Sequence, residues 1–196
     1  MSDRRRMPRT APRAALSTLT RRPRPVAVVR PPERPGPAGP EPSPSRVVDN
    51  AVYAGGRRIA TPASAGDSHE WLSEGFDDRM VWLGLYRPEP AELGELAELF
   101  GLPELAVEDA IQAHQRPKFE RYGDTLFVVL KAARYLDAAE EVDFGELHLF
   151  LGKDFVVTVR HSESPDLSRV RRRLESEPEL LARGSEAVLY LSLIHI

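Results

Sequence analysis

The sequence contains no cysteine and no long apolar run, and each absence closes off a class of function. Without cysteine there is no disulfide, no thiolate metal centre and no cysteine nucleophile, which fits a reducing compartment without requiring one. The longest apolar stretches are Leu126–Leu130 and Ala187–Ile194. Both fall far short of the roughly 18–20 residues a membrane helix needs. The N-terminus has arginines but no apolar core behind them, so it is not a secretory signal. No serine sits in a G-x-S-x-G turn, and Gly55-Gly56 is not followed by the residues of a phosphate loop. His69, His114, His148, His161 and His195 lack metal-ligand spacing and are expected at the surface or partly buried. Acidic residues are plentiful, but nothing singles out a catalytic pair. The expectation is a protein that is not an enzyme.

What is present is unevenly distributed along the 196 residues. Residues 1–45 carry ten arginines against Asp3, Glu33 and Glu41, a surplus of seven positive charges. Within a total of −3 this leaves −10 for residues 46–196. The N-terminal segment is also crowded with proline and poor in large apolar side chains, so it is expected to be a disordered tail. It reads as a solvated tail or as a basic contact with anionic lipid or RNA. The acidic remainder argues against a nucleic-acid surface there and leaves room for a cation ligand.

From Arg46 the pattern becomes that of a folded domain, residues 46–196. Val47–Tyr53, Gly55-Gly56 and Arg57–Ala60 read as a hairpin, and Met80–Tyr86 as a further strand. Pro90 opens a helix with Leu93, Leu96 and Phe100 on one stripe, and Gly101 ends it. A second helix is expected from Pro103 to about Gln115. Thr125–Leu130 reads as a strand covered on both faces, and the alternation through Leu147, Leu149 and Leu151 as another. Gly152-Lys153-Asp154 turns into a strand over Phe155–Arg160. Ser164-Pro165 is expected to cap a helix with Leu167, Val170 and Leu174 inward, interrupted at Pro178. Gly184-Ser185 then starts a last helix. Strands, helices, strands, helices predict an α/β fold: a mixed β-sheet with helices packed on both faces, an α/β/α sandwich.

The second helix holds the candidate chemistry. Val107, Ala110, Ile111 and His114 are expected on one side, with Glu104, Glu108, Gln112 and Gln115 on the other. Glu104 and Glu108 are like charges one turn apart, and Asp109 adds a third about 100° further round. Acids near a helix N-terminus are favoured by its dipole, so a purely structural explanation is available. The functional reading is a docking face for a hard divalent cation. Mg²⁺ takes oxygen ligands, keeps several waters and usually accepts one or two protein carboxylates. Glu108 and Asp109 point in different directions, so they suit a site completed by another surface.

Leu105–Ala110, His114–Glu120, Tyr122 and Leu126–Lys131, followed by Gly145-Glu146, Phe150–Gly152, Phe155–His161 and Glu186–Tyr190, resemble the N-terminal cytoplasmic domain of CorA-type magnesium/cobalt transporters. The resemblance covers roughly residues 46–190. It implies a homopentamer whose α/β/α domains form a cytosolic funnel, with Mg²⁺ ions between neighbouring domains holding the closed state. Co²⁺ is the alternative ion. The carboxylates matching that sensor are Asp109 and Glu108. It also implies a stalk helix, two membrane helices and a Gly-Met-Asn pore signature that this sequence does not contain. The final hexapeptide Leu191–Ile196 equals a translated sequencing-adapter stretch, so the expectation is a truncated domain with residues 191–196 not native. The whole protein would then sit in the cell membrane with this region cytoplasmic. A free-standing domain that binds a cation or a partner is the alternative reading; a metal-dependent hydrolase has no supporting constellation.

Overall fold

The computed structural model describes residues 46–73, 78–137 and 140–195. The expectation for residues 1–45 therefore lies outside the described residues. β1 (Val47–Ala54) and β2 (Arg57–Ala60) form the expected hairpin. Its turn needs glycine, because Gly56 has φ +72° and a Cβ there would lie 1.9 Å from the Pro178 carbonyl oxygen. After α1 (Ala65–Ser73), β3 (Arg79–Tyr86) leads to α2 (Pro90–Phe100) and α3 (Glu104–Gln112). The chain then runs through β4 (Lys118–Tyr122), β5 (Thr125–Leu136), β6 (Glu141–Leu151) and β7 (Phe155–Arg160). α4 (Leu167–Glu175), α5 (Pro178–Leu181) and α6 (Ser185–His195) complete it.

The seven strands make one sheet in the order β2-β1-β3-β7-β6-β5-β4. β3 pairs with β7 in parallel and the other neighbours are antiparallel, so the sheet is mixed. Period-two alternation divides the core between its faces. Val81, Leu83 and Leu85 of β3 point to one side, with Phe127, Val129 and Phe150, and meet Leu93, Leu96 and Phe100 of α2 and Ala106, Val107 and Ala110 of α3. Met80, Trp82, Leu147, Leu149 and Val156 point to the other, where Leu167, Val170 and Leu174 of α4 and Val188 and Leu191 of α6 cover them. The α/β/α layering is as the sequence pattern predicts. Each large side chain buried this way contributes roughly 1.5–3 kcal/mol of transfer free energy.

The helix ends follow local chemistry. Ser64 and Asp67 exchange reciprocal hydrogen bonds of 3.1 Å, a capping box that opens α1. Gly101, in the left-handed region, closes α2 as expected. α4 departs from expectation: its N-cap is Asp166, which accepts from the Ser168 N–H at 3.0 Å, rather than Ser164-Pro165. Among the described residues, no helix is long and apolar enough to cross a membrane.

Candidate functional site

α3 is shorter than its sequence suggests. It ends at Gln112, and Ala113 and His114 take positive φ values of 53° and 59°. Such conformations cost of order 1–3 kcal/mol for non-glycine residues and persist only when neighbours hold them. Three contacts do so here. The Ala113 N–H donates to the Asp109 carbonyl at 3.1 Å, closing the helix. The Gln115 N–H donates to Glu146 Oε1 at 3.0 Å, tying the next segment to β6. His161, just beyond β7, places Nε2 2.7 Å from the Ala110 carbonyl oxygen. A carbonyl can only accept, so Nε2 carries the proton. The early stop also corrects the expected helix faces: Ala106, Val107 and Ala110 are buried, whereas Ile111 is exposed and His114 lies outside the helix.

The two candidate carboxylates diverge. Glu108 lies on the exposed side, where Gln112 Nε2 donates to its Oε1 at 2.9 Å. Asp109 turns towards β4, the edge strand. Its Oδ2 lies 2.6 Å from Lys118 Nζ, and the same ammonium reaches Glu120 Oε2 at 2.9 Å. Tyr122 OH donates to that Glu120 oxygen at 3.0 Å. β4 produces this row by alternation: Lys118, Glu120 and Tyr122 share the face next to α3, and Phe119 and Arg121 face away. The Lys118 ammonium is partly desolvated, but its hydrogen bonds to Asp109 and Glu120 more than offset this and hold its pKa above the usual lysine value. Glu120 is held below the usual carboxylate range by Lys118 and Tyr122. The Lys118 and Asp109 side chains are 24% and 25% exposed, so the pair adds little stability, about 1 kcal/mol or less.

A second polar group lies under the end of α3. His148 is fully buried and sits 2.5 Å from Glu146 Oε1, while Lys131 Nζ reaches Glu146 Oε2 at 3.4 Å. Burial pushes the His148 pKa below its ordinary value despite the adjacent carboxylate. Glu146 stays below the usual range: burial opposes its charge, but His148, the Gln115 N–H and Lys131 outweigh that. His148 is therefore not the surface or partly buried residue that its lack of spacing suggests. Among the described residues, no three His, Asp or Glu side chains converge so as to hold a metal ion. The structure thus brings Asp109 together with Lys118 and Glu120, and leaves Glu108 apart. Lys118 and Glu120 belong to the sequence run that carries the resemblance, but their convergence on Asp109 depends on β4 docking beside α3.

Comparison with known proteins places these observations in a family. The model of the CorA-like Mg²⁺ transporter protein family matches residues 77–193, more than half of the chain. A Bacillus subtilis protein named "Putative metal ion transporter YfjQ" is 34% identical over 115 residues, covering 59% of this chain and 35% of that protein. The cobalt/magnesium transport protein CorA of Thermotoga maritima is 28% identical over 111 residues, covering 57% of this chain and 31% of that protein. The chain thus spans about a third of the length of these relatives, which are named as transporters and not as enzymes. Among solved structures, full-length CmaX matches with a TM-score of 0.59 at 20% identity, over 79% of this chain and 47% of that one. The soluble domain of CorA from Methanocaldococcus jannaschii matches with a TM-score of 0.53 at 16% identity, over 76% of this chain and 56% of that one. At such identities the structures speak for the fold. The family match speaks for descent: this chain belongs to the CorA-like Mg²⁺ transporter family.

Proposed function

We propose that the chain is the cytosolic, Mg²⁺-sensing portion of a magnesium/cobalt transporter that works as a homopentamer. The observation that carries the reading is the family match, which runs through the α3–β4 segment bearing Asp109. On this reading the pore belongs to membrane helices outside the present sequence, and the whole protein resides in the cell membrane.

Asp109 is the principal regulatory ligand, and Glu108, on the exposed side of the same helix, faces a neighbouring subunit. The donor set suits the ion. Mg²⁺ holds most of its waters and takes one or two carboxylates, and Asp109 and Glu120 already converge on a single positive charge. Residues 46–196 carry −10, so apposed domains repel one another until divalent cations bridge them. Withdrawal of Mg²⁺ then loosens the ring as a shift in population between closed and open states. Co²⁺ would engage the same oxygens.

The test begins with genomic DNA read past the Tyr190 codon. Two apolar segments and Gly-Met-Asn are expected there, and a native stop codon at that point contradicts the transporter reading. In the protein so defined, Asp109→Ala should weaken the protection from proteolysis that Mg²⁺ confers; unchanged protection would count against Asp109 as a ligand.

A further inference from the structure

Asp109 is not a free carboxylate awaiting a cation. A cation is already there, supplied by the chain itself. Lys118 Nζ lies 2.6 Å from Asp109 Oδ2 and 2.9 Å from Glu120 Oε2, so one ammonium pairs with both acids and offsets half of their charge. The arrangement is fixed from two sides. Lys118 and Glu120 are two residues apart on β4 and so share a face, and the Tyr122 hydroxyl holds Glu120 in place from the next position on that face. The Lys118 ammonium also lies 5.4 Å from the centre of the Phe127 ring, which restricts it to this corner of the sheet. A divalent ion approaching Asp109 meets this charge first.

We infer that Lys118 is a tethered competitor for the regulatory cation: it occupies the Asp109–Glu120 carboxylate pair and must swing away before Mg²⁺ can bind there. The inference rests on the proposed role of Asp109 as a Mg²⁺ ligand. It explains how a site built from carboxylates can stay empty at low Mg²⁺. A bare acidic pair would bind the ion and its rivals too readily, whereas an internal ammonium lowers the affinity without removing a ligand. The exchange replaces one positive charge by two, so the carboxylate pair, which keeps a net negative charge against Lys118 alone, is fully neutralised when the dication arrives and the ammonium enters solvent. A positive charge one ligand-length from the ion position lowers affinity by about 10-fold or more at the dielectric of a protein surface.

The test is a Mg²⁺ titration at constant ionic strength, followed by calorimetry, of the assembled protein that the genomic reading defines, as wild type, Lys118→Met, Asp109→Asn and the double variant. Lys118→Met should bind Mg²⁺ at least about 10-fold more tightly than wild type, and Asp109→Asn should remove the gain. Lys118→Arg, which keeps the charge, should bind as weakly as wild type. Lys118→Gln repeats the measurement if Lys118→Met does not fold. If Lys118→Met and Lys118→Gln bind no more tightly than wild type while Asp109→Asn still abolishes binding, the competitor role is wrong and the ligand role of Asp109 stands. If Asp109→Asn leaves Mg²⁺ binding of wild type and Lys118→Met unchanged, the ligand role falls and the competitor role falls with it.

Discussion

The imidazole of His148 lies 2.5 Å from Glu146 Oε1, and that same oxygen accepts the backbone N–H of Gln115. One buried carboxylate therefore joins the middle of the sheet to the segment that carries the chain from α3 to β4. Glu146→Ala would strip both donors of their acceptor and leave Lys131 without its partner. The expected loss is about 2–4 kcal/mol of unfolding free energy, read by urea denaturation. Glu146→Gln, which keeps an acceptor oxygen, should lose less.

The same dyad makes the domain sensitive to acid. Folded His148 binds its proton less tightly than an unperturbed histidine of pKa 6.5, because burial disfavours the charged ring. The unfolded chain therefore takes up this proton first, and stability falls as the pH drops below about 6.5. Glu146, held below its ordinary 4.5, adds a second decline at lower pH, as the solution falls through the folded-state value. Thermal melts from about pH 8 down to about pH 3 should show both phases, and His148→Gln should flatten the first. An unaltered first phase in that variant would assign it to another group.

On the opposite face of the sheet, Arg171 is buried against Trp82 with its guanidinium 4.0 Å from the ring centroid. It pairs with Asp49 at 3.0 Å and also donates to Tyr53 OH and the Trp82 carbonyl. A planar fork stacked on an indole cannot be replaced by an ammonium, so Arg171→Lys should destabilise nearly as much as Arg171→Ala. Both losses should fall near 2–4 kcal/mol, because Asp49 keeps Arg58 as a second partner. A fully stable Arg171→Lys chain would show that charge alone matters at this position.

Much of the fold is legible because its signals are strong and local. The glycine pair of the first hairpin, the Pro90-to-Gly101 helix and the both-faces-covered strands all follow from patterns within a dozen residues. α1 is harder to read. Trp71 and Leu72 are its only large apolar residues, and the Ser64–Asp67 capping box is the signal that marks it. β4, Lys-Phe-Glu-Arg-Tyr, has charges on both faces and becomes a strand by pairing with β5 at the sheet edge. α3 stops early for a tertiary reason, since two of the three contacts that hold Ala113 and His114 at positive φ come from β6 and the end of β7. The site follows the same division. Asp109 and Glu108 stand out in the sequence as acids on a helix, and the resemblance gives them a role. The pairing of Asp109 with Lys118 rests on how an edge strand docks beside that helix, and local pattern does not encode it.

The central claim is that Asp109 is where the regulatory cation is read. Its most direct measurement is the response of backbone amide resonances to added Mg²⁺ in the assembled protein that the genomic reading defines, against a sodium control of equal ionic strength. The account predicts saturable shifts concentrated at Glu108, Asp109, Lys118 and Glu120 that disappear in Asp109→Asn. Shifts that are linear in salt, that centre on another acidic face, or that survive Asp109→Asn would contradict it.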